Sequence, residues 1–247
     1  MPSGHLRIAS FNMQAGIGSH LPHHLVTHGW RYLLPHRHVH ANLEQIAEAI
    51  APFDIVALQE ADAGSFRTSY IHQQDYLAMR TGFSYSQSLI TREMGPIACI
   101  SLGILARIQL DAVHKHRLPA SRHGRGALES VCHWQGQPIA IIATHLSLRR
   151  SSRLRQIDFI AQLVKKHPAA IVLGDLNCEP HSPEFRQLME MADLQSGIIT
   201  PATYPSWQPR RRIDHILTTR NLEICNLRTL PILCSDHLPI AAEIRFR

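Results

Sequence analysis

The stretch "AAIVLGDLNCEP", residues 169–180, decides the fold. Its first half is apolar and rich in β-branched residues. Its second half sets Asp175 and Asn177 two residues apart and closes on Pro180. An apolar run without a polar break reads as a central strand, buried on both faces. Gly174 lets the chain turn closely as it leaves the sheet. Side chains two apart on an extended chain face the same way. Such a pair after a strand is often turn chemistry, because Asp and Asn bond nearby backbone. A rigid strand end can equally aim them into a crevice.

The pattern recurs along the chain. "LRIASF" ends at Asn12, "DIVALQ" at Glu60 and "IAIIAT" at His145. Asp214 lies inside "RRIDHIL", and the triplet Ser235-Asp236-His237 comes near the C-terminus. Each alone is weak: a histidine after a strand is commonly structural, and Glu60 reads also as a helix-start residue. Together they form a set of carboxylates, amides and two histidines without a thiolate. Such a set suits Mg²⁺ or Mn²⁺, hard ions bound through few carboxylates. Histidines beside it suit proton transfer near neutral pH.

Further apolar runs read as strands: "ACISLGILA", "ALESVCHW", "IDHILTT" and "IAAEIRFR". Helical spacing appears in "NLEQIAEAIA", where Leu43, Ile46, Ala47 and Ile50 share a face. It appears again in "SSRLRQIDFIAQLVKK", with Ser151 or Ser152 as the N-cap and Lys165, Lys166 and His167 at the C-terminal dipole end. A third helix covers "SPEFRQLMEMA", capped by Ser182 with Pro183 in its first turn. Mixed strands and helices predict a layered α/β or α+β domain. Repeats, low-complexity linkers and long single-sign charge runs are absent from the sequence, so residues 1–247 are expected to form one domain.

Composition narrows the partners. The 247 residues carry 25 Lys+Arg against 19 Asp+Glu, a net +6 with histidine neutral. That excess favours anionic partners such as nucleic acid, phosphoesters or anionic lipid without choosing among them. It fits a solvated basic surface equally well. Five scattered cysteines without a CxxC pair argue against a disulfide framework or a zinc-thiolate site. The N-terminus lacks a signal-peptide apolar stretch, and "MGPIACISLGILA" is too short to span a bilayer. The expectation is a cytoplasmic monomer without a transmembrane segment. Residues 13–40 stand apart, with seven histidines in "QAGIGSHLPHHLVTHGWRYLLPHRHVH". This is long for a connection and reads as a functional loop or lid. His24 and His28 have chelating spacing if helical, but no carboxylate or thiolate accompanies them.

The ordered elements "SFN" (10–12), "ALQE" (57–60), "THL" (144–146), "GDLN" (174–177), "RIDHI" (212–216) and "SDHLPI" (235–240) resemble the endonuclease/exonuclease/phosphatase superfamily, the DNase I-like fold. The resemblance spans nearly the whole chain. It implies a four-layer αββα sandwich, two stacked mixed β-sheets flanked by helices, and a metal-dependent phosphoesterase. It implies Glu60 as main Mg²⁺ (or Mn²⁺) ligand with Asn12 beside it, and Asp236 on the same or a second ion. His237 becomes the general base or a phosphate contact, with Asp214 fixing its tautomer. Asp175 and Asn177 position the water and phosphoryl oxygens, the aspartate being the alternative base. His145 donates to a phosphate oxygen or the leaving group. Arg125, in "GRGALES", is a candidate phosphate contact. Trp207, in "ATYPSWQPRRRID" with Thr203 and Tyr204, could stack on substrate or merely pack its loop. Arg149, Arg150, Arg153 and Arg155 could face an anion from a helix start or form a solvated basic face.

The resemblance leaves the phosphoester open: nucleic acid, phospholipid headgroup or small phosphodiester. His145 points away from the exonuclease III-like repair branch, which generally lacks it, and towards a compact bacterial-type hydrolase. Hydrolysis of a phosphodiester or phosphomonoester by activated water is the leading expectation. A DNA/RNA endo- or exonuclease is the alternative, and a catalytically silent binding module a third.

Overall fold

The structure, a computed structural model, describes residues 4–18, 33–35, 38–119 and 124–247. Most of the histidine-rich segment, including His24 and His28, lies outside the described residues.

Two six-stranded mixed sheets form the centre. The first contains β1 (Leu6–Asn12), β2 (Ile55–Asp62), β3 (Tyr85–Met94), β4 (Ala98–Ala106), β11 (Leu222–Thr229) and β12 (Ile240–Phe246), in the order β11-β12-β1-β2-β4-β3. The second contains β5 (His114–Arg117), β6 (Gly126–Trp134), β7 (Gln137–His145), β8 (Ala170–Asp175), β9 (Leu194–Ser196) and β10 (Asp214–Thr219), in the order β5-β6-β7-β8-β10-β9. Each sheet has one parallel pair at its middle, β1 with β2 and β7 with β8. A parallel pair needs a crossover. Helix α1 (His38–Ile50) lies in the first and α3 (Arg150–Val164) in the second. Helices α2 (Gln73–Thr81) and α4 (Pro183–Met191) complete the outer layers.

Period-2 alternation divides each central strand between two cores. Ile139, Ile141, Ala143, Ile171 and Leu173 face the first sheet, where Ile8, Ile55, Ala57 and Ile104 meet them. Ala140, Ile142, Ala170 and Val172 face outward onto Ile157, Ile160 and Val164 of α3 and Phe185 and Leu188 of α4. On the opposite side Ala9, Phe11, Val56 and Leu58 pack on Leu43, Ile46 and Ile50 of α1. Each fully buried Ile or Leu contributes about 1.5–3 kcal/mol of transfer free energy. This is the αββα sandwich that the resemblance implied.

The strands and helices legible in the sequence are present, with one local difference. The N-cap of α3 is Arg149 without a side-chain cap, and Ser152 is buried inside the helix. Ser182 does cap α4, accepting from Phe185 N at 3.3 Å. Strands β3, β5, β9 and β11 and helix α2 are additional to the sequence reading.

Candidate active site

Parallel pairing brings the polar strand ends to one place. In β1 and β2, Asn12 is registered against Gln59. In the second sheet, Asp175 pairs with both His145 and Asp214. The carboxyl ends of both parallel pairs therefore open on one edge of the sandwich, where ligands bind in open α/β sheets. The loop before β12 brings Asp236 and His237 to the same edge.

Two backbone irregularities aim the side chains. Gln59 and Glu60 form a bulge between registered Leu58 and Ala61, and Glu60 takes φ +54. A left-handed non-glycine inside a strand is strained and re-aims its side chain. Glu60 thus turns out of the sheet and keeps a third of its side chain exposed. At the end of β8, Gly174 has φ +146, and a Cβ there would lie 1.9 Å from Thr144 O. Only glycine lets β8 approach β7 so closely. Asn177 follows at φ +52, a conformation asparagine tolerates.

Asp175 is the hub. Its Oδ2 accepts from Asn12 Nδ2 at 3.1 Å and lies 3.3 Å from His145 Nε2 and 3.9 Å from His237 Nε2. Its Oδ1 accepts from Asn177 N at 2.9 Å. Burial alone would raise its pKa. The His145 hydrogen bond, the His237 charge and the Asn177 amide outweigh burial and hold the carboxyl below its usual range.

The histidines differ. Arg125 Nη1 contacts His145 Nδ1 at 3.2 Å. A guanidinium only donates, so Nδ1 is the acceptor and Nε2 carries the proton. His145 Nε2 is therefore the donor directed at Asp175, with Glu60 Oε1 at 3.9 Å. His237 Nδ1 donates to Asp214 Oδ2 at 2.8 Å. Burial pulls the His237 pKa down, but Asp214, Asp175 and Asp236 together push it up to about 10. Tyr204 packs its ring on His237, centroids 4.9 Å apart, and Thr203 Oγ1 donates to Asp214 Oδ2. His215 beside Asp214 points to the opposite face and donates to Cys178 O at 2.9 Å, a structural histidine.

Half-buried Asp236 has its pKa raised to about 6, by burial and then by the Glu60 charge, against the lowering effect of His237. Two carboxylates that repel this way favour a cation between them. Asn12 adds its Oδ1, whose other contact is Gln14 N at 3.3 Å. Asp175, Asp214 and His237 also place ligand atoms within 4.8 Å of one another. There the Asp214–His237 hydrogen bond already commits part of the set, although Asp214 Oδ1 is buried without a partner among the described residues. Glu60, Asp236 and Asn12 form the harder, all-oxygen set and fit Mg²⁺ or Mn²⁺ better.

The structure thus brings together Asn12, Glu60, Arg125, His145, Asp175, Asn177, Asp214, Asp236 and His237. Asn177 Nδ2 also donates to Leu146 O at 2.9 Å, which leaves one of its two N–H groups. Trp207 is half-buried on the turn beyond Tyr204 and has no hydrogen bond or ring contact with the cluster among the described residues. Arg153 and Arg150 pair with Glu184 of α4 at 2.6 and 3.3 Å, so they serve helix packing. Sequence reasoning passed over the support from Ser235. Its Oγ donates to Asn12 O at 2.7 Å and ties the β12 loop to β1.

This edge, a carboxylate–histidine cluster at the strand ends of a two-sheet sandwich, defines a class. The endonuclease/exonuclease/phosphatase family model matches residues 9–237, and the chain belongs to that family of phosphoesterases and nucleases. Among solved structures it is similar to an endonuclease/exonuclease/phosphatase from Beutenbergia cavernae, at 18% identity and TM-score 0.74, covering 98% of this chain and 72% of that one. It is similar to a mannosyl-6-phosphatase from Bacteroides thetaiotaomicron, at 15% identity and TM-score 0.73, covering 98% and 100%. The human Nocturnin catalytic domain with bound sulfate is 20% identical with TM-score 0.72, covering 99% and 95%. These likenesses establish the fold. A sequence search of curated proteins found no match. No helix among the described residues is long and apolar enough to cross a membrane.

Proposed function

We propose that this protein hydrolyses a phosphoester by attack of an activated water at phosphorus, with Mg²⁺ or Mn²⁺ at Glu60, Asp236 and Asn12. The observation that carries the reading is the convergence on Asp175 Oδ2 of Asn12 Nδ2 at 3.1 Å, His145 Nε2 at 3.3 Å and His237 Nε2 at 3.9 Å. A phosphoryl group that gains charge needs fixed donors and cations on its oxygens. His237, charged because Asp214 pairs with it, supplies a cation. His145 supplies an N–H, oriented by Arg125. Asn177 supplies a donor without net charge.

Attacking water needs an acceptor for its proton. Asp175 is ionised and sits among these donors, whereas His237 already holds its proton. Asp175 is the base in this scheme, and His237 the phosphate contact. The divalent ion, when bound, supplies Lewis-acid charge for the developing oxyanion. Arg125 acts through His145 and lies close enough to the cluster to share its anion. We assign the whole chain to one catalytic domain.

The test is turnover of bis-p-nitrophenyl phosphate by the purified protein, with nucleic acids, phosphoinositides and nucleotides run in parallel. Activity should vanish with EDTA, return with Mg²⁺ or Mn²⁺, and be lost in Asp175→Asn and His237→Ala. Turnover that survives both chelation and His237→Ala overturns the mechanism. Plasmid or RNA cleavage in the panel would assign the nuclease branch.

A further inference from the structure

A cavity of about 200 Å³ has Glu60 in its wall, and its other lining residues include Ala15, Ile17, Arg67, Arg92, Met94 and Ile100. Apart from Glu60, the catalytic scheme above uses none of these side chains. Most of the wall is apolar, yet two arginines line it.

Arg67 is 6% exposed, and its Nε donates to Asp62 Oδ2 at 2.7 Å. Its Nη groups have no hydrogen-bond partner among the described residues. Asp62 cannot take more. Its Oδ1 already accepts from Gly64 N at 3.0 Å, Ser65 N at 2.8 Å and Thr68 Oγ1 at 3.1 Å, and its Oδ2 from Ser65 Oγ at 2.7 Å. A buried carboxylate saturated with donors works here as an anchor that holds one guanidinium at the cavity wall. Buried charged groups are normally paired and hydrogen-bonded throughout. A buried guanidinium with two open N–H arms on a cavity is built for an anion that binds from outside.

Arg92 stands at the rim. It is exposed and has no ion pair or hydrogen bond among the described residues. A register shift between Ile90 and Arg92 re-aims this end of β3. Phe66 N and Arg67 N donate to Pro96 O and Ile97 O at 2.8 and 3.3 Å, and so lock the β3–β4 turn to the Arg67 segment. The two arginines are thereby carried by one fixed unit. Ile17, Met94 and Ile100 between them suit a planar or apolar body, with Met94 adaptable in shape.

We propose that this cavity is a second subsite. It receives the organic group of the phosphoester, an apolar or planar body bearing a further anionic group, with Arg67 and Arg92 on the anion and Ile17, Met94 and Ile100 on the body. The proposal rests on the hydrolytic reading only in placing the scissile phosphoryl group at Glu60. It selects compact, doubly anionic phosphoesters over those with a small neutral substituent.

The test uses three diesters that share one leaving group: methyl, phenyl and 4-carboxyphenyl p-nitrophenyl phosphate. kcat/KM should rise along that series, with the carboxyphenyl ester on the order of tenfold above the phenyl ester. In Arg92→Gln, an exposed position whose replacement leaves the fold intact, that carboxyphenyl-to-phenyl ratio should fall towards one. Met94→Ala should shrink the phenyl-to-methyl ratio instead. A second arm needs no turnover: calorimetry with phenylphosphonate and 4-phosphonobenzoate, where the latter should bind about tenfold tighter to the wild type and lose that margin in Arg92→Gln. Hydrolysis without discrimination in either arm overturns the subsite and leaves the hydrolase reading standing. Absent hydrolysis with intact phosphonate discrimination does the reverse. Equal binding of both phosphonates together with no hydrolysis removes both.

Discussion

Asn12 of the first sheet donates its Nδ2 to Asp175 Oδ2 of the second at 3.1 Å, across 163 positions of chain. This bond ties the two sheets together at the edge where the polar strand ends converge. It also fills one lone pair of the Asp175 carboxylate. Asn12→Ala should lower kcat on the order of a hundredfold and cost about 1–3 kcal/mol of stability, because Asp175 loses a buried partner. An unchanged kcat on bis-p-nitrophenyl phosphate would remove Asn12 from the site.

The Asp214–His237 bond at 2.8 Å predicts a pH effect. His237 has its folded pKa raised to about 10. Its contribution to stability is therefore complete below the ordinary histidine value and lost as pH rises through about 10. Asp214→Asn removes the main partner, so the alkaline fall of both activity and stability should move to lower pH. The pH–rate profile and denaturant midpoints of wild type and variant measure the shift. Superimposable profiles would contradict the assigned pairing.

Removing a metal ligand should be visible without turnover. Glu60→Gln should weaken Mn²⁺ binding by roughly tenfold or more, read by calorimetry. Asp236→Asn should do the same, because its carboxyl shares the field of Glu60. Wild-type affinity in both variants would place the ion elsewhere, with Asp175, Asp214 and His237 the next set to test.

Gly174→Ala tests the close approach of β8 to β7. A methyl at 1.9 Å from Thr144 O, on a backbone at φ +146, cannot be accommodated without moving a central strand. The expected cost is about 3 kcal/mol or more. Chemical denaturation measures it, and a loss under about 1 kcal/mol would show that the strand relaxes freely.

In β6, buried Glu129 is held between His116 Nε2 and His167 Nε2, each 2.6 Å from a separate carboxylate oxygen. Burial opposes its ionisation, but the His167 and His116 hydrogen bonds prevail and lower its pKa. The stability it contributes is thus present above the ordinary glutamate value of 4.5 and disappears as pH falls through the lower folded value. Glu129→Gln should cost about 2 kcal/mol at neutral pH and flatten the acid limb of the stability curve. Equal acid limbs would show that the two histidines do not sense Glu129.

The elements that the sequence made visible share a position. The strands read from apolar runs are β1, β2, β4, β6, β7, β8, β10 and β12, all of them interior. The strands passed over, β3, β5, β9 and β11, are the four sheet edges. The reason is physical. An interior strand touches core on both faces and must be apolar, whereas an edge strand such as "HKHR" is paired on one side only and can be wholly polar. Helix α2, "QQDYLAMRT", escaped for a similar reason, because its buried face is mostly glutamine.

By itself the sequence determined which strands are interior and that four of them, β1, β2, β7 and β8, run into an oxygen or imidazole group, because burial and strand period leave a linear record. Asp175, Asn177 and the triplet at 235–237 were legible on those terms. The tertiary structure alone decided which of these groups meet. The φ of Glu60 inside a bulge, the aim that Arg125 imposes on the His145 ring, and the charge of His237 all follow from contacts between distant segments. A side chain's residue type is local information. Its ionisation and aim are set by the neighbours that folding brings within a few ångströms, and these are chosen by the register of two sheets rather than by adjacent residues.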